Sequence, residues 1–194
     1  MHKIIFAHIF AFFIFMGMWY YQPSVTGLME MLLVGMVALE TGFIAFYTQN
    51  VAFRLLAVLV WLFFYPRTFK GIMTAADTSW GGEGIWTSGA MSAFMVYMAC
   101  LLFTLIAGTL SLQLILKSFK LNIYTQLSVI LLVAILASFT LYLGRTSDLG
   151  WQAFIQSPAN YFEQLVANFS VSNMPFMIGL SAIQVMLAVL LGDD

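Results

Sequence analysis

The sequence predicts an all-α, polytopic bundle of six transmembrane helices, and three observations lead there. Charged residues make up 8% of the 194 positions, against about 25% in a soluble domain. Apolar residues make up 62%, with 19 phenylalanines, more apolar surface than a soluble fold of this length can hide. The apolar residues also fall into blocks near the length of a bilayer crossing, about 20 residues. The length suits one compact domain, so residues 1–194 read as a single transmembrane domain. The net charge of -1 offers no basic field for nucleic acid.

The first block, 4–21, follows Lys3 as a signal peptide would. No small-x-small cleavage site follows, and "MWYYQP" closes the run, so the reading is a retained span. Pro23 and Gly27 punctuate a loop before the second span, 28–47, which contains Glu30 and Glu40. "TQN" turns the chain into a third, short span, 51–65, ended by Pro66. Residues 67–90 form a polar, glycine-rich connection. The fourth and fifth spans are 91–116 and 123–143. Residues 144–172 are a mixed connection. Within it Tyr161, Phe162, Leu165, Val166 and Phe169 recur at helical spacing, which fits either an interfacial helix or a loop helix packed on the bundle. The sixth span is 175–191, with Asn173 placed to cap it and Pro175 in its first turn.

Aromatic residues mark the expected water boundaries: Trp19, Tyr20 and Tyr21, then Trp61 and Tyr65, then Tyr124 and Tyr142. Six spans put both termini on one side, with Lys3, Arg54, Lys117 and Lys120. The opposite side carries Arg67, Lys70 and Arg145. The positive-inside bias gives cytoplasmic termini in a cell membrane, with both long connections extracytoplasmic.

Glu40 is the least expected residue. A carboxylate deep in a span costs about 2.5–3.5 kcal/mol on insertion scales, so it needs a partner. Arg54 lies across the turn, and the two depths differ by roughly 6 Å at about 1.5 Å per residue. The readings are a hairpin ion pair, a neutral Glu40 bonded to a hydroxyl, or a proton or cation site. Arg145 poses a similar choice. Gly144 can end the fifth span in a left-handed turn, Arg145 suits the carbonyl end of the helix, and Asp148 can pair with it. The functional version is a clamp for phosphate or carboxylate, with Trp151 stacking beside it. Asp77 and Glu83 are carboxylates on the other long connection.

The chain has two histidines, His2 and His8, and one cysteine, Cys100. No nucleophile triad or metal set assembles from these, so the sequence implies no cofactor. Met91, Met95 and Met98 share one helical face and suit soft packing. Gly35, Ala38 and Gly42, and Ala107, Gly108 and Ser111, suit close helix contacts.

Two stretches, "LFFYPRTFKGIMTAAD" at 62–77 and "LYLGRTSDLGWQAF" at 141–154, resemble an uncharacterised bacterial membrane family, domain of unknown function 1361. The family's Phe-Tyr-Pro-Asn-Thr-Phe-Tyr stretch is matched at Pro66, Thr68 and Phe69, with Arg67 in place of asparagine and no following histidine. Its Tyr-Leu-Gly-Arg helix end is matched by Tyr142, Leu143, Gly144 and Arg145. Its Arg-Trp-Asn-Ser-Trp-Asp segment is echoed only loosely by Asp148 and Trp151. The resemblance implies a multi-pass membrane protein and gives Arg145 more than a generic role. The absent histidine and altered acidic segment weigh against a catalytic site.

Three functions follow. The first is a non-enzymatic subunit binding a partner or a small ligand through Arg145, Asp148, Trp151, Arg67 and Lys70. The second is a transporter or channel subunit using Glu40 and Arg54. The third is a membrane enzyme acting on a lipid-linked phosphate at Arg145, Arg67 and Lys70. The expected partners are the lipid bilayer and other membrane subunits.

Overall fold

The computed structural model describes residues 2–23, 25–77, 87–146 and 174–192, with Ser157 and Glu163. All regular structure among them is helical: α1 (His2–Tyr21), α2 (Leu28–Tyr47), α3 (Val51–Phe64), a 3-10 turn (Pro66–Phe69), α4 (Lys70–Asp77), α5 (Ser88–Ser118), α6 (Ile123–Thr146) and α7 (Met174–Leu190). Helices satisfy every backbone donor and acceptor internally, which hydrocarbon demands of an open chain. Five helical stretches are long and apolar enough to cross a membrane: Ile4–Tyr21, Leu28–Tyr47, Val51–Ala75, Ser88–Ser118 and Ile123–Gly144. The sixth, Met174–Leu190, is apolar but has 17 residues, near the lower limit for a span.

Two expected boundaries are corrected. Span three does not stop at Pro66. Tyr65 keeps right-handed helical angles (φ -52°, ψ -50°), the proline opens a 3-10 turn, and the helix resumes at Lys70. Proline lacks only its own N–H, and Thr68 meets the Tyr65 carbonyl through both its N–H and its hydroxyl. Part of the expected polar connection is therefore helix. Gly144 does not end α6 in a left-handed turn either; the helix runs on to Thr146, and Gly27 is the described glycine with positive φ. The amphipathic stretch at 160–169 lies outside the described residues apart from Glu163.

The chain forms two compact units, Met1–Lys120 and Leu121–Asp194. In the first, α2 lies along α5. Gly35 faces Thr104 and Gly42 faces Ser111, in the same order on each helix, so the two run parallel. A Cβ on Gly42 would sit 2.9 Å from the Ser111 Cα, and one on Gly35 would sit 2.9 Å from the Thr104 Cγ2. At Gly42 the backbones thus approach more closely than a side chain on α2 would allow, while at Gly35 an added carbon would press first on the Thr104 methyl.

After a turn capped by Asn50, whose side chain accepts from the Ala52 N–H at 2.9 Å, α3 returns antiparallel to α2. Trp61, Tyr65 and Phe69 share one face and are essentially inaccessible. Their rings touch in sequence, with centroids 4.6 and 5.6 Å apart. The Trp61 indole N–H donates to Ser111 Oγ at 2.8 Å. The expectation that Trp61 and Tyr65 mark a water boundary is therefore wrong: they pack against the small-residue face of α5. The expected boundary residues Trp19, Tyr20, Tyr21 and Tyr124 are exposed.

At the far end of α3 the same economy of size applies. A Cβ on Gly108 would collide with the Thr68 side chain. The Tyr97 hydroxyl donates to the Gly71 carbonyl and ties α4 to α5. Ala11 of α1 packs with Leu28, Met31, Leu32, Tyr97 and Cys100, while Phe10, Phe12, Phe13 and most of the remaining face stay exposed.

In the second unit α6 and α7 pair antiparallel around buried polar groups. Ser181 Oγ lies 3.0 Å from Ser138 Oγ, and Gln184 Nε2 donates to Ser138 Oγ at 2.9 Å. Interhelical bonds of this kind replace the hydrophobic drive that lipid removes.

These contacts set a stability test. Gly42→Ala is expected to cost about 1–3 kcal/mol, as overpacking does. Gly179→Ala, where the added carbon meets nothing within 4 Å, is expected to cost nothing. Unfolding midpoints in detergent compare the two.

Candidate functional site

The start of α2, the 3-10 turn, α4 and α5 form a small cleft whose wall combines charged side chains with Leu28, Met31 and Val34. Gly27, Glu30, Arg67, Lys70, Thr74 and Tyr97 are among the residues lining it, and its volume is about 40 Å³. That holds a few waters or one small polar group. The segment beyond Pro66 creates it, by carrying Arg67 and Lys70 back over the first turn of α2. Arg67 is held in place by Phe63 one turn earlier, with its guanidinium carbon 4.2 Å from the ring centroid.

Gly27 begins α2 in a left-handed conformation (φ 82°), and no side chain caps the helix. The first intrahelical bond is Met31 N–H to the Gly27 carbonyl at 2.9 Å, so the preceding amides point out of the helix start beside the cleft. Among the described residues, neither Arg67, Lys70 nor Glu30 stands in an ion pair. Two cations and a positive helix end therefore face one carboxylate.

Arg67 and Lys70 were expected in a ligand site, and the fold brings them together. Arg145 lies in the last turn of α6; its side chain, and Asp148 and Trp151 entirely, lie outside the described residues, as does Glu83 and the side chain of Asp77. Glu30 and Tyr97 joined the cleft without being foreseen as site residues. Their signal is position: Glu30 in the first turn of α2, and Tyr97 buried where α4 crosses α5.

The expected Glu40–Arg54 pair is replaced by two separate arrangements. Arg54 donates to the Thr48 carbonyl at 2.9 Å and to the Ser118 carbonyl at 3.3 Å. These are the carbonyl ends of the parallel helices α2 and α5, where a cation is most favourable. Arg54 is one turn into α3, so these acceptors lie nearer than Glu40. Glu40 instead faces α1. Its Oε1 lies 3.6 Å from His8 Nε2 and has no hydrogen-bond partner.

His8 Nδ1 lies 3.0 Å from the Ile4 carbonyl. Residue counting about the first loop could have found this partner. His8 lies about 17 residues before Val25 and Glu40 about 15 after it, which equalises their depths to about 3 Å. Among the described residues no three metal-ligating side chains cluster.

The clamp reading of Arg54 separates from the ion-pair reading by mutation. Arg54→Ala is expected to cost about 1.5–3 kcal/mol, the range of hydrogen bonds to charged groups. The cost should be the same within about 0.5 kcal/mol in a Glu40→Gln background, since the two sites share no partner. A double-mutant cycle on thermal unfolding in detergent checks both.

Comparison with known proteins places this geometry in a family context. No curated protein and no solved structure matches the chain. A family model does match residues 30–187, a range that takes in both stretches carrying the resemblance and most of the membrane helices. The chain is an integral membrane protein of unknown activity, and it belongs to the family described as Protein of unknown function (DUF1361).

Proposed function

We propose that the protein is a non-enzymatic membrane subunit that binds an anionic group in the cleft formed by Arg67, Lys70 and the start of α2. The observation that carries this reading is the convergence of two cations, without ion-pair partners among the described residues, on a helix start with no side-chain cap. Bonds from ionised donors to an anion are stronger than neutral ones, and more so at a low-dielectric boundary. Arg67, resting on Phe63, offers a planar fork whose orientation is already set. In this reading the termini are cytoplasmic and the cleft opens on the opposite, outer face of a cell membrane, supported by Lys117 and Lys120 in one short connection. A second reading, a transporter or channel subunit, draws on one observation: His8 Nε2 and Glu40 Oε1 lie 3.6 Å apart on neighbouring helices.

Binding of glycerol phosphate to the detergent-solubilised protein, followed by calorimetry, tests the first reading. Arg67→Gln and Lys70→Gln are each expected to weaken binding about tenfold, the equivalent of about 1.4 kcal/mol. Arg67→Lys should recover only part of the loss, because it keeps the charge without the fork. An Arg67→Gln/Lys70→Gln double variant that binds as the wild type does would refute the proposal.

A further inference from the structure

We infer that the ligand of this cleft is a glycerophospholipid, with its phosphodiester between Arg67 and Lys70 and one acyl chain in the groove between α1 and the start of α2. The inference rests on the anion-binding reading above and adds the identity of the rest of the ligand. The cleft, at about 40 Å³, accommodates only the charged part of any ligand. The remainder has to leave it, and the neighbouring surface shows where. A groove of about 390 Å³, lined among others by Phe15, Met18, Trp19, Val25 and Met29, shares Gly27 and Leu28 with the cleft.

At this junction there is open space: a Cβ on Gly27 would meet nothing within 4 Å. A cleft that carries Arg67 and Lys70, beside a groove lined mainly by apolar side chains, is complementary to an amphiphile. A soluble anion would use the first part and leave the second unfilled. The groove's volume is within the range of ligand sites, about 300–1,000 Å³.

Charge narrows the head group. Arg67 and Lys70 against Glu30 leave one net positive charge in the cleft, and a phosphodiester supplies one negative charge. Glu30, an acceptor, then suits a head group that also carries a hydroxyl or ammonium donor. Phosphatidylglycerol meets both conditions. Phosphatidylcholine, which has no such donor, meets only the first.

The test uses the full chain in phosphatidylcholine nanodiscs and reads tryptophan fluorescence, because Trp19 lines the groove. The Trp19→Phe variant supplies the background from the other tryptophans. Phosphatidylglycerol brominated on its acyl chains is added as a minor component, with brominated phosphatidylcholine at the same fraction as the control. The Trp19-dependent quenching is expected to show roughly fivefold enrichment of phosphatidylglycerol, the size of one lysine or arginine contact near a membrane surface. Arg67→Gln/Lys70→Gln should remove that enrichment. Met29→Phe, which fills the groove from an exposed position, should also remove it while leaving glycerol phosphate binding intact.

If glycerol phosphate binds through Arg67 and Lys70 but no enrichment appears, or if enrichment survives Met29→Phe, the lipid inference is overturned and the anion site stands. If neither probe depends on Arg67 and Lys70, both fail.

Discussion

The close approach of α2 to α5 at Gly35 and Gly42 is the contact on which the rest of the first unit depends. Between helices in hydrocarbon the hydrophobic effect gives no net attraction, so packing and hydrogen bonds must hold them together. The α5 face contributes by keeping its hydroxyls to itself. Thr104 Oγ1 donates to the Leu101 carbonyl at 2.9 Å, and Ser111 Oγ donates to the Gly108 carbonyl at 2.6 Å. That leaves Thr104 presenting carbon to Gly35, and Ser111 an oxygen lone pair for the Trp61 indole. One stripe of small residues therefore receives α2 on one side and the α3 aromatics on the other.

Because α2 and α5 run parallel in this register, their carbonyl ends coincide while α5 starts about nine residues before α2, and the electrostatics of the two ends of α2 differ. At the carbonyl ends, Arg54 spans both helices and satisfies a terminal acceptor on each. At the other end no side chain caps α2. There the helix start meets Arg67 and Lys70 instead of carboxylates, with Glu30 as the partial offset. Arg54 meets the carbonyl ends, although its Nε is buried without a hydrogen-bond partner, whereas the start of α2 has two cations beside it. In the proposed reading, this difference separates a structural clamp from a binding site more clearly than the identity of either arginine.

Much of the architecture is legible in composition and spacing. The apolar blocks mark every long helix within a few residues, because lipid imposes length and polarity on each span separately. Gly35, Gly42, Gly108 and Ser111 announce close contacts, since small residues in a span have few other uses. Arg67 and Lys70 are visible as cations just beyond an apolar block. What was not legible depends on neighbours. Trp61 and Tyr65 look like interface residues when only their distance from the helix end is considered. Their spacing of four to Phe69 signals one face, but only the partner helix decides that the face is buried. Pro66 reads as a stop because its cost is local, while the bonds that absorb it come from Tyr65 and Thr68. Glu40 suggests Arg54 if only the nearer turn is counted; the turn at Pro23–Gly27 places His8 at the same depth. The clamp residues Asp148 and Trp151 lie outside the described residues, so the fold adds nothing to their reading.

Disulfide trapping of the α2–α5 register tests the central claim most directly. Cysteines at Gly35 and Thr104, in a Cys100→Ala background, should cross-link on mild oxidation. A Cβ on Gly35 would lie 3.4 Å from the Thr104 Cβ, near the usual separation of about 3.5–4.5 Å for a disulfide. Cysteines at Gly35 and Ser111, seven residues off register, should not. Efficient cross-linking of Gly35 with Ser111, and none with Thr104, would mean that the helices do not run parallel in this register. The shared carbonyl ends, the Arg54 clamp and the cleft would then have to be abandoned together.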